Sequence, residues 1–248
     1  MKIGAFIIHL ARATQRRPQV DALRQALSSL PVGIIDAVDG SALSDPETAV
    51  AFQPELLEPV YPFALRPGEI GCFLSHRAAW QAILDQGLDA GLVLEDDVEI
   101  ESTVFADALA TALPEIGKAG AIQFQVREIR QPGPLMASSG RCSLYLPVVT
   151  PLRCACTLYS AAAARRLLDM SLPFDRPVDT FIQMHWITGV KSAIVVPSGV
   201  REVSAAIGGT TIQSTTAEKK RGLVATLRRE VRRFLYRRRV AALSARAS

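Results

Sequence analysis

Apolar residues along this chain fall into short branched runs that alternate with stretches of helical spacing. Ile3–Leu10 (IGAFIIHL) is a continuous apolar run, the pattern of a strand buried on both faces, and a polar, Arg-rich turn follows at Ala11–Pro18. Val20, Leu23, Leu27 and Leu30 then recur at near-helical spacing until Pro31 stops them, and Gly33–Val38 predicts a second short strand. A strand, turn, helix and strand in this order open a parallel sheet. Prolines at 46, 54, 59, 62 and 67, with a turn at Asp39-Gly40, predict a long excursion holding a short helix near Thr48–Phe52. Within Glu69–Gln86, Ile70, Phe73, Leu74, Ala78, Trp80, Ile83 and Leu84 share one broad helical face, and Gly87 ends it.

Further on, Gly91–Leu94 predicts a third strand that runs straight into Glu95-Asp96-Asp97, followed by a helix over Phe105–Ile116 and an alternating strand over Ala121–Val126. Arg130–Pro151 mixes Pro, Gly, Ser and Arg and reads as a mobile surface loop. Cys154–Tyr159 is a strand, Ala161–Met170 a helix, Val178–Trp186 a helix after the Pro173–Pro177 turn, and Ala193–Val196 the last strand. Strands alternating with helices, without an internal repeat, predict an α/β fold with a mostly parallel sheet.

A chain of 248 residues that is 49% hydrophobic can bury a full core, which excludes a disordered chain. Charge divides it. Residues 219–248 hold 11 Lys and Arg against Glu230, a local charge of +10, leaving −6 on a body whose chain totals +4. The expected organisation is therefore a domain over 1–218 and a basic arm over 219–248. In the arm Leu223, Leu227, Val231 and Phe234 share a face, flanked by Val224 and Leu235, while Arg228, Arg229, Arg232, Arg233 and Arg237–Arg239 cover the rest. Such a helix reads as an anchor to an anionic membrane surface, setting where the protein works and not what it does. A helix docked on the domain is the alternative; nucleic acid fits poorly, because only Phe234 and Tyr236 could stack on bases.

Cys72, Cys142, Cys154 and Cys156 are too few and too uneven for a disulfide framework, and C-x-C is not the usual zinc spacing, so reduced thiols are expected. The N-terminal apolar stretch is shorter than a leader core and its arginines follow it, and no run reaches the ~18 apolar residues of a membrane span. The expected location is cytoplasmic, peripheral on the cytoplasmic face of an inner membrane.

The chemistry points to the triplet Glu95-Asp96-Asp97. Ligands of open α/β sheets bind beyond the carboxyl ends of strands, and adjacent carboxylates repel unless a cation or shared proton compensates. Hard oxygen ligands suit Mg²⁺ or Mn²⁺; a solvated acidic turn is the plainer alternative. His76 beside Ser75 lacks a nucleophile-elbow sequence, and no dinucleotide or P-loop glycine pattern occurs. His76 reads as a helix-face histidine near the acidic strand end or as packing. His185 could reach a metal as a neutral imidazole, or pack beside Trp186.

IGAFIIHLARATQRR (3–17), AVDG (37–40), GEIGCFLSHRAAW (68–80), LVLEDDV (92–98), CTLYSAAAARRLL (156–168) and RPVDTFI (176–182) together, in this order, resemble glycosyltransferase family 25. That family comprises lipopolysaccharide and lipooligosaccharide galactosyl- and glucosyltransferases and relatives of the collagen galactosyltransferases. The resemblance implies a GT-A-like fold, a UDP-sugar donor, inversion at the anomeric carbon, and a metal site of D-x-D type at the triplet. Two departures stand out: His9, where the family usually has Asn, and Cys154-Ala155-Cys156, where it commonly has small residues. On this reading Asp97, with Glu95, Asp96 or His185 assisting, holds the Mn²⁺ or Mg²⁺; Arg12, Arg16, Arg17 and His76 meet the nucleotide; and Asp179 is the base that deprotonates a glycan or glycolipid acceptor. A non-catalytic member binding glycan or partner through the same cleft is the alternative.

Overall fold

The structure, a computed structural model, describes residues 1–127, 129, 132–205 and 223–247. The expected domain boundary at 218/219 and the start of the basic arm lie outside the described residues, as do the side chains of Leu223 and Val224. In chain order the elements are β1 (Ile3–His9), α1 (Arg17–Ala26), β2 (Val32–Asp36), α2 (Asp45–Ala51), α3 (Pro67–Asp85), β3 (Ala90–Glu95), β4 (Val98–Ile100), α4 (Ser102–Ala112) and α5 (Ile116–Ala119). There follow β5 (Ala121–Phe124), β6 (Leu135–Ser139), β7 (Cys142–Tyr145), β8 (Cys156–Ser160), α6 (Ala161–Met170), α7 (Val178–Ile182), α8 (His185–Thr188), β9 (Ser192–Val196), β10 (Val200–Glu202) and α9 (Leu223–Ala247).

One eight-stranded sheet has the order β2-β1-β3-β8-β5-β9-β7-β6. β2, β1 and β3 are parallel; β8 runs against both its neighbours; β9 parallels β5; and β7 runs against β9 and β6. Six of the eight strands therefore point one way, the mostly parallel α/β sheet that the alternating pattern predicts. Side chains alternate between two cores. Ala5, Ile7, Leu92, Leu94, Ile122 and Leu158 meet α1, α4 and α5 on one face, and Phe6, Ile8, Val93, Ala121 and Tyr159 meet α3, α6 and α7 on the other. The near-complete burial of β1 and β3 on both faces is why they read as unbroken apolar runs.

Three features depart from the sequence reading. Within the expected loop Arg130–Pro151, β6 and β7 form a hairpin at the sheet edge, turned at Gly140, whose φ is +57°. Its outer strand (LMASS) is largely exposed and so lacks the alternation of a half-buried strand. The helix expected over Val178–Trp186 breaks at Gln183-Met184 into α7 and α8. The sheet's last strand is followed by β10, which pairs with β4 directly after the acidic triplet.

Residue 71 positions α3, the helix that matters for the site. A Cβ at Gly71 would stand 2.4 Å from the Val38 carbonyl oxygen and 2.6 Å from the Gly40 nitrogen, and one at Gly40 would stand 1.7 Å from the Pro67 carbonyl oxygen. Helix and turn thus touch backbone to backbone, and the Ser75 hydroxyl accepts from the Val38 amide at 2.8 Å. Gly71→Ala is expected to destabilise the fold by about 1–3 kcal/mol through overpacking. Gly117→Ala, where nothing lies within 4 Å of the added methyl, should cost nothing. Denaturant unfolding of the two variants checks the contrast.

Candidate active site

The chain moves from β1 through α1 to β2 on one side, then crosses back over β1 to β3 on the other. The strand order therefore reverses between β1 and β3, and in open α/β sheets the crevice at such a point is where ligands sit. A cleft of about 1320 Å³ opens there. Its lining includes Arg12 and Arg16 after β1, Asp39 and Gly40 after β2, His76 on α3, Glu95 at the end of β3 with Asp96 and Asp97 after it, and Asp179 on α7.

The three carboxylates do not share one environment. Asp96 is buried between two donors: Arg16 Nη1 reaches Oδ1 at 2.5 Å and His9 Nδ1 lies 2.7 Å from Oδ2. Arg16 is itself buried, so this is a structural ion pair in which each charge depends on the other. Asp97 is 3.9 Å from Arg16 Nη1, and its carboxyl is pushed up to about 7 by burial first, then by the Glu95 charge, with Arg16 opposing. Glu95 is more open and meets His76, with Oε1 3.3 Å from Nε2. Two cleft-facing carboxylates thus stand in mutual repulsion beside a third that is already neutralised. A divalent cation held by Glu95 and Asp97 would relieve that repulsion, so the residues present fit such an ion.

Thiols complete the floor. Cys72 and His76 lie one helical turn apart on α3, and Cys154 Sγ is 3.8 Å from His76 Nε2. Cys154, in the irregular segment before β8, and Cys156, the first residue of β8, join different cores, so the C-x-C sequence is not a paired unit. All four cysteines are free, and burial pushes the Cys72 and Cys154 thiols up, with Glu95 adding to the effect.

Asp179 sits on another wall. Its Oδ1 accepts from the Thr180 amide at 2.7 Å and the Thr180 hydroxyl at 3.2 Å, and its Oδ2 accepts from the Arg153 amide at 3.1 Å. These bonds fix the carboxylate and also hold the Leu152–Ala155 wall, where Arg153 has a φ of +77° and its guanidinium pairs with Glu202. At the mouth Arg12 grips Asp39 with two bonds, at 2.5 and 3.1 Å, and these hold the Asp39 carboxyl down at about 2.

The basic arm is a wall of the same cleft. Helix α9 docks on the domain through Tyr236, Val240 and Ser244: Arg176 Nη1 donates to the Tyr236 hydroxyl at 3.1 Å, Tyr236 packs edge-on against Tyr61, and Val240 and Ser244 are buried. Arg176 is locked by Asp175, at 2.6 and 2.9 Å, and by the Leu57 carbonyl. Arg228, Arg229 and Arg232 then line the cleft, with Arg229 4.9 Å above the Phe63 ring. The arm thus docks on the domain, the alternative reading of its sequence, and reaches the cleft. Leu227, Val231, Phe234 and Leu235 nevertheless remain exposed.

Of the residues singled out from sequence, Arg12, Arg16, His76, Glu95, Asp96, Asp97 and Asp179 converge on the cleft. Arg17 and His185 do not line it. Arg17 is exposed at the start of α1, where its neighbour Arg16 takes the inward position. His185 is turned to the Val148 carbonyl, 3.3 Å from Nε2, so a ligand role for it is withdrawn. Tyr61, Phe63, Arg66, Arg153, Glu202 and the α9 arginines line the cleft without having been singled out for it. Only the Asp39-Gly40 turn carried a local signal; the others arrive from segments whose spacing says nothing of a shared site.

The profile described as glycosyltransferase family 25 (LPS biosynthesis protein) matches residues 2–131. Procollagen galactosyltransferase 2 of Mus musculus is 40% identical over 121 residues, 46% of this chain and 18% of that protein. Inactive glycosyltransferase 25 family member 3 of Mus musculus is 33% identical over 194 residues, 71% of this chain and 31% of that protein. The chain thus spans under a third of the length of these relatives. Among solved structures, mannose-1-phosphate geranyltransferase from Thermus thermophilus aligns over 79% of this chain and 74% of its own, at 15% identity and a TM-score of 0.46, a likeness too distant to bear on the site. The profile covers more than half of the chain, including both strands that flank the cleft and the whole acidic triplet: the chain belongs to glycosyltransferase family 25.

Proposed function

We propose that this chain transfers a hexose, galactose first among the candidates, from a UDP-sugar to a glycan acceptor of the lipopolysaccharide or lipooligosaccharide type, with inversion and with a divalent cation, Mn²⁺ or Mg²⁺. The observation that carries the reading is the division of the triplet: Asp96 is consumed by Arg16 and His9, while Glu95 and Asp97 face the cleft at the switch point. The names of the family and of its relatives support galactosyl transfer and lipopolysaccharide as the setting.

Glu95 and Asp97 would hold the cation, which when bound supplies positive charge against the departing diphosphate. Arg12 and Arg153, at the cleft mouth and wall, and Arg228 and Arg232 of α9 give the remaining phosphate charge a cationic surround. Asp179 Oδ2 takes the acceptor hydroxyl proton as that oxygen attacks the sugar, and the Thr180 and Arg153 amides orient the carboxylate for it. A non-catalytic glycan-binding role is the second reading, favoured by one finding: relatives matched over 71% of the chain are named inactive. Donor hydrolysis with added Mn²⁺ separates the two, since only the transferase reading yields free UDP.

The location is part of the proposal. Leu227, at 66% exposure, and Phe234, at 58%, stand out from a helix whose other face is docked, and arginines flank them. An anionic bilayer on the cytoplasmic side matches that face in both charge and hydrophobicity, each basic residue near the surface adding about 1 kcal/mol.

Three outcomes are expected. Asp97→Asn abolishes Mn²⁺-dependent UDP binding in calorimetry and leaves the unfolding midpoint intact, whereas Asp96→Ala removes the buried carboxylate bonded to Arg16 and His9 and costs about 3–5 kcal/mol of stability. In steady-state kinetics Asp179→Asn lowers kcat by about 10²–10⁴ with donor affinity little changed; a parallel fall in metal affinity would make it a ligand instead. Leu227→Asp combined with Phe234→Asp releases the protein from anionic vesicles in co-sedimentation, while transfer to a soluble acceptor fragment persists because the docked face of α9 is untouched.

A further inference from the structure

Two side chains of α3, one at the end of β3 and one just before β8 meet at the floor of the cleft in a way that the transfer reaction does not require. Cys72 Sγ, His76 Nε2 and Glu95 Oε1 all lie within 4.8 Å of one another. The pairwise distances are 3.3 Å from His76 Nε2 to Glu95 Oε1, 4.0 Å from Cys72 Sγ to Glu95 Oε1, and 3.8 Å from Cys154 Sγ to His76 Nε2. A tetrahedral zinc centre with Zn–N and Zn–O near 2.0–2.1 Å and Zn–S near 2.3 Å has edges of about 3.3 Å between nitrogen and oxygen and about 3.6 Å between sulfur and either. The His76–Glu95 edge matches that geometry and the Cys72–Glu95 edge is a few tenths of an ångström long, while Cys154 Sγ stands beside His76 as a further thiol.

The scaffold that holds them is stiff. Gly71 of α3 rests backbone to backbone on the turn after β2, next to Cys72. Just beyond the β3–β8 ladder, the Glu95 amide donates to the Ala155 carbonyl at 2.9 Å, which ties Glu95 to the segment that carries Cys154. His76 is fully buried, its Nδ1 has no hydrogen-bond partner, and all of its polar contacts are made by the Nε2 edge that faces Glu95 and the thiols. Two sulfurs and an imidazole make a soft donor set, unlike the carboxylate pair beside it.

The geometry points to a second cation site in this cleft, a thiophilic one of Zn²⁺ type built from Cys72 Sγ, His76 Nε2 and Glu95 Oε1, with Cys154 Sγ, beside His76, drawn in as the fourth ligand. Binding releases one proton from each thiol to solvent as the two S–Zn bonds form, with no change of oxidation state. Glu95 belongs to both sites, so a soft ion on the thiols withdraws a ligand from the hard ion at Asp97. Zn²⁺ would then inhibit the enzyme in competition with Mn²⁺. That consequence rests on the transferase reading; the binding itself does not.

The test uses the full-length, reduced protein without nucleotide. Titration with Co²⁺ should give one equivalent bound with thiolate-to-cobalt charge-transfer absorption, and Zn²⁺ should displace it. Cys72→Ser and Cys154→Ser should each weaken Zn²⁺ binding by about 10-fold or more, the scale on which even the partners of a metal ligand act. Cys142→Ser, on the opposite face of the sheet, should leave it unchanged. A Co²⁺ spectrum lacking the thiolate band overturns the site whether or not the variants fold, as does Zn²⁺ affinity unaltered in folded Cys72→Ser and Cys154→Ser. Because none of these readouts involves transfer, the site can fail while the transferase reading holds, and the reverse.

Discussion

The buried contact between Arg16 and Asp96 is the constraint on which this cleft depends. Three adjacent carboxylates at the end of a buried strand would repel one another and the fold would bear that cost. Arg16, from the turn after β1, neutralises the middle one, and His9 at the end of β1 takes its other oxygen. The pair ties β1 to β3 across the switch point and turns Glu95 and Asp97 toward the opening. A buried ion pair contributes little net stability, but loss of either partner strands a charge in the interior. Its value lies in orientation: it sorts identical chemistry into one structural and two available groups.

The remaining walls follow the same economy of shared contacts. Asp179 holds the Arg153 segment as well as presenting a carboxylate, and Arg176, paired to Asp175, holds Tyr236 and with it α9. Domain and basic helix are therefore coupled through the cleft. The helix presents three arginines inward and an apolar row outward, so a membrane contact on one side and an anionic ligand on the other would be read by one rigid element.

Much of this was legible in the sequence where burial is one-dimensional. β1 and β3 announce themselves because both faces are covered, and α6 falls at its expected bounds because Ser160 caps it and Ala163, Ala164 and Leu167 repeat at helical spacing. Asp97 and Glu95 were found from their place after a strand. The sorting of the triplet was not legible, since it depends on Arg16, 80 residues away, turning inward while Arg17 turns out. Nor was the docking of α9. The apolar stripe from Leu227 to Phe234 marks the exposed face, and the docked face is the inconspicuous Tyr236-Val240-Ser244 line. The Cys72-His76 spacing was visible, but Cys154 comes to His76 from the segment before β8, 78 residues away in sequence.

The central claim is that the triplet is divided, with Asp96 held in the fold and Glu95 and Asp97 left for a cation. Anomalous scattering from crystals grown with Mn²⁺ and UDP tests it most directly. The account predicts one manganese peak between the Glu95 and Asp97 carboxylates, with Asp96 still bonded to Arg16 and His9. A manganese ion coordinated by Asp96, with Arg16 displaced from it, would contradict the account.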